Sequence, residues 1–472
     1  MDRRAFFRLA LASAGAAATL PRAVMAGAQP GTAGPYGAIE GRSPDANGLL
    51  LPEGFTSRVV AVAGQPVGET DYPWHVFPDG GAVFADESGD GWTYVSNSEV
   101  FVPFGAGGAS AVRFGPDGEI VDAYRVLEGT SANCAGGPTP WGTWLSCEEN
   151  IDSLGQVWEC DPTGARAAAA LPALGRWRHE AVAVDPDGEA LYLTEDDPAG
   201  RLYRFTPDSY PDLAAGRLEA AVVDTGGAVT WVPVADPSAA SGPVHDQVPE
   251  ATVFPGNEGI WYHDGTVVFT SKVDNRVHAI DLEAQRYSVL WDGASTEPLG
   301  GVDNVTVAAG SGDVFVAEDG GNMELVLITP EGDVVPFARL TGHDGSEVTG
   351  PAFSPDGTRL YISSQRGPTP GTLTEIAGDR GLTGDSRNGG VTFEITGPFR
   401  DAGADSSGAP SPATTIADAA AGRSDAESGA GDDGDGAGTA VAVGGAAVAV
   451  LGAAGAGAWW LRRRGGGQAG EA

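Results

Sequence analysis

Lysine is almost absent from this chain, and cysteine and methionine are scarce. Its 472 residues contain three cysteines, three methionines and one lysine, Lys272, whereas 64 acidic residues contribute to a net charge of −37. Surfaces that bind nucleic acid carry clustered basic residues, so this composition argues against a nucleic-acid partner. The acidity favours solubility but does not point to a particular reaction.

Long helical patterns are also missing between the two ends of the chain. The nearest candidate for an amphipathic helix is the short segment 217–222. The chain instead has 72 glycines and 33 prolines, and its short apolar runs lie between turn-forming residues. This pattern is typical of an all-β domain, which we expect to span residues 40–398.

The three cysteines, Cys134, Cys147 and Cys160, lie close together in the sequence. Outside the cytoplasm, an odd number of cysteines leaves at least one thiol unpaired. A disulfide between Cys134 and Cys160 with Cys147 free is one arrangement, and the sequence does not choose among the arrangements.

Six short segments repeat a strand that ends on a polar residue. They are residues 94–97 (YVSN), 144–147 (WLSC), 192–195 (YLTE), 269–272 (FTSK), 315–318 (FVAE) and 361–364 (YISS). Their last residues are separated by 50, 48, 77, 46 and 46 positions, a period near 47 with one long gap. Strand-like repeats of this length are typical of propeller blades, so the sequence predicts a six-bladed β-propeller. The long gap predicts an insertion around 205–255, as a loop or extra hairpin near the channel.

A second polar position precedes most of these strand ends by about fifteen residues. It is occupied by Asn133, Glu180, Glu258, Asp303 and Thr349, with Glu347 two residues before Thr349. Turn-forming sequences lie between the two positions, at 185–188, 263–265, 310–313 and 355–357. Two apolar arms around a turn predict an antiparallel hairpin, in which both positions lie at the same end. We therefore expect the polar residues of all blades to gather on one face, near the central channel.

This face would bring together many carboxylates and one thiol. The candidate metal ligands are Cys147, Glu148, Glu149, Glu180, Glu195, Glu258, Asp303, Glu318 and Glu347. Ionised carboxylates repel one another at short range, so they are spread out in solvent, protonated, or held together by cations. Carboxylates suit hard cations such as calcium, and a thiolate suits a transition metal such as iron. A metal site and a set of solvated loop carboxylates are the two interpretations.

Three further residues are candidates for a role in chemistry. His179 is a candidate metal ligand, general acid or structural histidine, and Arg178 either binds an anion or neutralises nearby carboxylates. Lys272 either neutralises the site, holds a substrate phosphate, or forms a salt bridge with Asp274 or Glu258. The chain has no Gly-x-Ser-x-Gly nucleophile elbow, no phosphate-binding glycine loop and no zinc-type cysteine pairs.

The two ends of the chain predict export and anchoring. Residues 1–28 contain Arg3-Arg4, an apolar stretch and small residues, as in a twin-arginine signal peptide, with an ordinary secretory signal as the alternative. Residues 401–437 indicate a flexible stalk rich in Ala, Gly, Ser and Asp. Residues 438–461 are uncharged and precede three arginines, which predicts a transmembrane helix and a cytoplasmic tail at 462–472. The propeller would then be extracytoplasmic and anchored to the cell membrane.

Several strings occur in the order that one known family shows. They are residues 133–137 (NCAGG), 147–150 (CEEN), 179–182 (HEAV), 194–196 (TED), 272–277 (KVDNRV), 303–304 (DN) and 347–357 (EVTGPAFSPDG). Across about residues 50–370, the chain resembles PhoX-type alkaline phosphatases. The resemblance implies an exported six-bladed propeller, typically with a twin-arginine signal.

The resemblance also implies a site and a reaction. Iron and calcium would be held by a cysteine thiolate and by bridging carboxylates, with Cys147 at the position of the iron-binding cysteine. Lys272 and Arg178 would face the substrate phosphate. The implied reaction is hydrolysis of small phosphomonoesters at alkaline pH, in which the metals polarise the phosphoryl oxygens and supply a metal-bound oxygen nucleophile.

The chain departs from the family in two places, which leaves other functions open. It is shorter than the typical enzymes, and residues 365–367 are Gln-Arg-Gly where those enzymes have Gln-His-Pro-Gly. One alternative is a calcium-dependent propeller hydrolase, such as a lactonase or phosphotriesterase. The other is a non-enzymatic, calcium-stabilised propeller that binds partners at the cell surface.

Overall fold

The structure is a computed structural model that describes residues 33–402, with gaps at 87–88, 90, 102–106, 151–153, 294–297 and 369–388. The predicted signal peptide (1–28), membrane helix (438–461) and tail (462–472) lie outside the described residues, as does the stalk beyond residue 402. Within the described part of the chain, we find no helix that has both the length and the apolar character needed to cross a membrane.

Short strands account for most of the regular structure. In chain order they are β1 (Leu49–Leu50), β2 (Thr56–Val62), β3 (Pro78–Ala85), β4 (Trp92–Ser98), β5 (Gly107–Phe114), β6 (Ile120–Thr130), β7 (Asn133–Pro138), β8 (Trp144–Glu148), β9 (Val157–Cys160), β10 (Ala169–Ala170), β11 (His179–Asp185), β12 (Ala190–Glu195), β13 (Leu202–Ser209), β14 (Asp212–Val223), β15 (Val229–Pro233), β16 (Asn257–His263), β17 (Thr266–Ser271), β18 (Arg276–Asp281), β19 (Arg286–Asp292), β20 (Val302–Val307), β21 (Val314–Glu318), β22 (Glu324–Ile328), β23 (Val334–Leu340), β24 (Val348–Phe353), β25 (Arg359–Ser364) and β26 (Val391–Thr396). Short 3-10 helices occur at Pro172–Leu174 and Val244–Asp246. The segment 217–222 lies within β14 and is not helical.

The described strands form six antiparallel sheets, which we call blades 1 to 6. They are β3–β6, β7–β10, β11–β15, β16–β19, β20–β23 with β1 at the outer edge, and β24–β26 with β2 at the outer edge. Each blade has one inner strand, and in blade order these strands are β3, β7, β11, β16, β20 and β24. Each inner strand contacts the inner strands of both neighbouring blades. Blade 6 joins an N-terminal strand to the C-terminal ones, so the ring is closed by hydrogen bonds. The predicted all-β six-bladed propeller is confirmed.

The insertion predicted around residues 205–255 lies in blade 3, but its extra strand is not near the channel. Blade 3 has the long strands β13 and β14 and a fifth strand, β15. The prediction placed this insertion near the channel. The extra strand lies instead at the edge of the sheet farthest from the inner strand β11.

Apolar side chains fill the spaces between blades. In one cluster, Leu145 and Val157 of blade 2 pack with Val182, Leu193 and Tyr203 of blade 3. Both faces of a blade are covered by its neighbours, so strands such as β12 are buried along their whole length. The near-continuous burial explains why the strand sequences are apolar on both faces rather than alternating with polar residues.

Each inner strand contains the same irregularity near its start. In β11, His179 pairs with Glu195 of β12 and Val182 pairs with Leu193. An advance of three residues along β11 therefore matches an advance of two along β12. The other five inner strands shift register at the same place, one residue later in blade 6. Such a β-bulge removes residues from the regular ladder and re-aims their side chains. In five blades, the second residue of the inner strand is one of those displaced.

Small residues allow the inner strands to approach one another closely just after this point. A Cβ atom added to Gly80 would lie 2.5 Å from the Cα atom of Ala135 in the next blade. Gly350 has φ of +58°, and a Cβ atom there would lie 2.5 Å from the carbonyl oxygen of Asp79. The bulged ends of the inner strands are therefore held together, which brings their displaced side chains within reach of one another.

Candidate metal centre

Two sets of six equivalent residues lie at one end of the propeller. The second residues of the inner strands form what we call the start ring: Asp79, Cys134, Glu180, Glu258, Asp303 and Thr349. The residues that directly follow the second strand of each blade form the end ring: Glu99, Glu149, Asp196, Lys272, Asp319 and Gln365. Inner strands begin where their partners end, as in the pairs Pro78 with Ser98 and Val302 with Glu318. Both rings therefore lie on the same face, as the hairpin pattern predicts.

Side chains of the two rings, together with Glu347, form a continuous arc of potential metal donors. Four groups each offer three donor atoms that lie within 4.8 Å of one another: Asp79, Glu99 and Cys134; Cys134, Glu149 and Glu180; Glu180, Glu258 and Asp303; and Asp303, Asp319 and Glu347. Successive groups share Cys134, Glu180 and Asp303. The arc thus combines eight carboxyl groups with one thiol, running from blade 1 to blade 6.

Three basic side chains contact the arc. Lys272 Nζ lies 2.8 Å from Asp303 Oδ2, 3.2 Å from Glu258 Oε1 and 3.3 Å from Asp319 Oδ2. Its predicted salt bridge to Glu258 is therefore present, whereas Asp274 pairs with Arg276.

The two other basic side chains are arginines. The guanidinium of Arg178 pairs with Glu149 and lies 2.8 Å from Asp196 Oδ2. The guanidinium of Arg366 lies 3.1 Å from Glu347 Oε2 and 3.8 Å from Asp319 Oδ1. With Lys272, they place three positive charges beside the eight carboxyl groups.

Neutral amides hold several of the carboxyl groups in place. Gln365 Nε2 donates to Asp79 Oδ2 and Glu99 Oε2, both at 2.6 Å. Asn304 Nδ2 donates to Asp303 Oδ1 at 2.8 Å, while its Oδ1 accepts the backbone N–H of Gly350. These bonds link blade 6 to blade 1 and blade 5 to blade 6, so the donor positions are fixed by neighbouring blades.

Burial strongly perturbs the acidity of the arc. Burial, then the repulsion of Asp303, raises the pKa of Asp79 to about 7. Burial raises the pKa of Glu149 to about 8, although Arg178 opposes the change. Burial is the largest cause that raises the pKa values of Glu99, Glu180, Glu258 and Glu347 well above the ordinary value. Neighbouring carboxyl groups add to this effect, whereas Arg366 opposes it at Glu347. A set of buried acids that resists ionisation by itself becomes ionised when cations are bound.

The donor atoms fit a metal cluster. Glu180 is fully buried, and its Oε2 atom accepts no hydrogen bond from the described residues. Its Oε1 atom accepts from the Cys134 thiol at 3.2 Å, and the pKa of that thiol is raised by burial and by the surrounding carboxyl groups. Carboxylate oxygens are the ligands of hard cations, and a thiolate among them suits iron. A bound cation would supply the charge that this buried set lacks.

Five of the predicted ligands are brought together. Glu149, Glu180, Glu258, Asp303 and Glu347 all belong to the arc. Both basic residues predicted at the site, Lys272 and Arg178, also contact it.

Cys147 is not brought to the arc, although the sequence pattern placed it there. Its side chain is fully buried and packs among Leu145, Val157 and Val182. The thiol of the arc is Cys134, which occupies the bulged second position of β7. All three cysteines are free, so the disulfide between Cys134 and Cys160 that the sequence left open is not formed.

Glu148, Glu195 and Glu318 share a different role. Each ends the second strand of its blade and accepts hydrogen bonds from backbone N–H groups. Glu148 accepts from Ser131 and Gln156, Glu195 from Arg201, and Glu318 from Gly300 and Glu324. Glu195 also accepts the hydroxyl of Tyr203 and bonds to His245 Nδ1 at 2.8 Å. None of the three belongs to the donor groups of the described residues. They fix the loops that carry the end ring.

His179 is placed as a structural histidine. Its ring stacks on Trp177 with centroids 3.9 Å apart, and Nε2 lies 3.1 Å from the carbonyl oxygen of Gly175. Burial lowers its pKa to about 3. The neutral ring therefore packs beside the site without entering the donor groups.

Sequence reasoning missed Asp79, Glu99, Cys134, Asp319 and Arg366. Four of them belong to the donor arc, and Arg366 contacts it. A signal for the four was present, because each holds a start-ring or end-ring position once the blades are aligned by strand pairing. Arg366 follows the end ring in blade 6 and has no equivalent signal in the repeat.

Comparisons with known proteins identify the family and the fold of the chain. The family model described as alkaline phosphatase PhoX matches residues 79–283 and 270–371, which together span more than half of the chain. PhoX of Pseudomonas fluorescens, solved in complex with vanadate, a transition state analogue, has a TM-score of 0.60 and 17% identity, covering 75% of this chain and 97% of that one. A gluconolactonase of Xanthomonas campestris has a TM-score of 0.40 and 12% identity, covering 72% and 89%. No curated protein matches the chain.

The two kinds of likeness carry different weight. At 17% identity, the solved PhoX structure shows a shared propeller fold and no more. The family match covers the residues of both rings from Asp79 to Gln365, so it includes the whole donor arc. The chain therefore belongs to the alkaline phosphatase PhoX family and is a hydrolase of phosphoric monoesters.

Proposed function

We propose that this chain is an exported phosphomonoesterase whose activity depends on calcium and iron held at one end of the propeller. The observation that carries the proposal is the arc of four overlapping donor groups, with one thiol among eight buried carboxyl groups. The family match supports small phosphate esters as substrates.

Cys134 is the proposed iron ligand, in place of Cys147. Its Sγ atom belongs to two donor groups, one with Asp79 and Glu99 and one with Glu149 and Glu180. A thiolate in such surroundings is stable only beside a strong positive charge, because burial and the carboxyl groups raise the pKa of the thiol. Two groups have no thiol: Glu180, Glu258 and Asp303, and Asp303, Asp319 and Glu347. Their donor atoms are all oxygens, which suit calcium.

Arg178 and Lys272 are the proposed phosphate-binding residues. Their side chains are 25% and 32% exposed, whereas the carboxylates of the arc that they contact are at most 12% exposed. Both can therefore meet a ligand from solvent while touching the donor arc. A guanidinium presents paired donors that match phosphate oxygens, and an ammonium adds a compact charge. Bound cations would polarise the phosphoryl oxygens and neutralise charge during cleavage of the ester bond.

Export and anchoring are proposed from the sequence of the two ends. The paired arginines at positions 3 and 4 support the twin-arginine pathway, and the uncharged run at 438–461 supports a membrane anchor. Replacement of both arginines by lysine should stop export, and removal of residues 438–472 should release the enzyme into the medium. Export of the lysine variant at the normal level would contradict the twin-arginine proposal.

Elemental analysis and activity measured on one sample test the function. Protein exported by its own pathway should contain both iron and calcium and should hydrolyse p-nitrophenyl phosphate at alkaline pH. Calcium alone without turnover would favour a surface binding propeller. Calcium alone with hydrolysis of a lactone or a phosphotriester would favour the alternative hydrolases, and either result would contradict the proposal.

A further inference from the structure

Positive side chains are distributed unevenly around the donor arc. All three carboxylates of the group Asp303, Asp319 and Glu347 are ion-paired: Lys272 contacts the first two, and Arg366 contacts the last two. Two built-in cations therefore face three carboxylates in this group. Its charge is largely compensated before any metal arrives.

The group at the opposite end of the arc is compensated less directly, because Arg366 acts on Glu99 and Lys272 acts on Asp79 without forming an ion pair. In the described residues, no ion pair involves Asp79, Glu99 or Cys134, whose group lies in blades 1 and 2. Gln365 bonds to both carboxyl groups there, but its amide is neutral. A cation that enters this group meets no side-chain cation that is already bound to the same oxygens.

We propose that Lys272 and Arg366 act as built-in counter-ions of the group Asp303, Asp319 and Glu347. This inference rests on the proposed metal cluster, and it makes this group the weaker and exchangeable cation subsite. A cation must compete there with an ammonium 2.8 Å from Asp303 and a guanidinium 3.1 Å from Glu347. Like charges repel at these distances, so binding is weakened relative to the group Asp79, Glu99 and Cys134, which has no such ion pairs among the described residues.

Arg366 is held in place by a buried chain of hydrogen bonds. Its backbone N–H donates to Ser346 Oγ at 2.9 Å, and Ser364 Oγ donates to the same atom at 2.9 Å. Ser364 in turn bonds to His343 Nδ1 at 2.7 Å. Because the Arg366 side chain is only 6% exposed, its guanidinium stays beside Glu347 rather than moving into solvent.

Lys272 differs from Arg366 because its side chain is 32% exposed. A cation in the weak subsite neutralises the carboxylates of Asp303 and Asp319, so their attraction for the Lys272 ammonium falls. The released ammonium is then available to a phosphate from solvent. Calcium and phosphate should therefore bind with positive coupling, each raising the affinity of the other.

The test is a calcium titration of the iron-containing protein after a chelator has removed all of its calcium. Calorimetry on the wild-type protein should resolve a tight and a weak class of sites. In Arg366→Gln, the weak class should tighten by about tenfold or more, because one positive charge beside the subsite is gone. Arg366→Lys keeps the charge and should leave the weak class almost unchanged.

Arg359→Gln is the matched control. Arg359 lies in the same blade and pairs with the buried Glu394, with Nη1 2.7 Å from Oε1, but it does not contact the arc. Its substitution should leave both calcium classes as in the wild type. A weak class that is unchanged or weaker in Arg366→Gln would overturn the inference, and so would a single class of sites in the wild type.

A second variant protects the test against misfolding. Should Arg366→Gln fail to fold, the same titration on Lys272→Gln decides the matter, because that side chain is more exposed and should be easier to replace. Its weak class should also tighten by about tenfold. An unchanged weak class in a folded Lys272→Gln would then contradict the inference.

Turnover separates this inference from the proposed function. Two calcium classes with the expected response, but without hydrolysis of p-nitrophenyl phosphate, would leave the inference standing and overturn the proposed function. Hydrolysis with a single calcium class would do the reverse. A wild-type protein that binds no calcium would overturn both.

Discussion

The Sγ atom of Cys134 lies 3.2 Å from Oε1 of Glu180, the residue at the same position of the next blade. The contact exists because both residues occupy the bulged second position of an inner strand. The same bulge recurs in each blade and turns a repeat along the sequence into a set of adjacent side chains. The donor arc is thus a direct consequence of propeller symmetry and of the kind of residue placed at each position.

The first prediction concerns pH and stability in the metal-free protein. The folded-state pKa values of Asp79 and Glu149, about 7 and about 8, lie above their ordinary values of 3.8 and 4.5. The native state therefore holds more protons than the unfolded state between about pH 4 and pH 8. Stability should be highest at the acid end of this range and should fall by a few kcal/mol as pH rises through it.

Bound cations should reverse this dependence, because they favour the ionised carboxylates. Urea unfolding of chelated and reconstituted protein at pH 5.5, 7.0 and 8.5 measures both cases. The chelated protein should lose stability toward pH 8.5, whereas the reconstituted protein should lose it toward pH 5.5. A chelated protein whose stability rises with pH would argue against a buried, protonated arc.

The second prediction concerns the close approach of the inner strands. In Gly350→Ala, the new Cβ atom would meet the carbonyl oxygen of Asp79 at 2.5 Å, in a backbone with φ of +58°. We expect a loss of about 3 kcal/mol in the free energy of unfolding and a lower metal content, because Asp79 is displaced. Gly342→Ala is the control, since Gly342 has φ of +77° but no atom within 4 Å of the new Cβ. It should lose only about 1 kcal/mol and keep its metals. Equal losses in the two variants would show that the close contact has no effect.

The third prediction concerns phosphate binding by Arg178. Arg178→Gln should raise the KM for p-nitrophenyl phosphate by about tenfold or more, while its iron and calcium content stays near that of the wild type. Arg204→Gln is the control in the same blade, because Arg204 pairs with Glu219 at 2.7 Å and stacks on Trp231. Its KM should not change. A normal KM in Arg178→Gln would assign this arginine to charge balance alone.

The number of blades was predictable from the sequence because the repeat is long and regular. Four turn sequences, such as residues 185–188, also lie where the structure has hairpin turns between inner and second strands. These features depend on local sequence and on apolar patterning. They were therefore available from a single chain.

The exact strand register was not predictable in the same way. The matched endings placed Asn97, Cys147 and Lys272 at equivalent positions, whereas pairing makes Ser98, Glu148 and Ser271 equivalent. A slip of one residue moves a side chain to the other face of a strand. This slip, together with the position given by the family resemblance, led the prediction to Cys147, which packs between blades, and away from Cys134.

Hydrogen-bond partners, rather than burial, distinguish three of the predicted ligands from the members of the arc. Glu148, Glu195 and Glu318 follow the repeat as well as the true members of the arc, and they are equally buried. Only the structure shows that backbone N–H groups already satisfy them. Hydrogen-bond partners supplied by distant loops leave no trace in the repeat.

Metal analysis of two cysteine variants tests the central claim most directly. Cys134 and Cys147 are both buried thiols of blade 2, so Cys134→Ala and Cys147→Ala remove the same atom from two environments. Cys134→Ala should lose its iron, the visible iron–thiolate absorption and phosphomonoesterase activity. Cys147→Ala should keep the iron and the absorption. Retention of iron in Cys134→Ala, or its loss only in Cys147→Ala, would contradict the account.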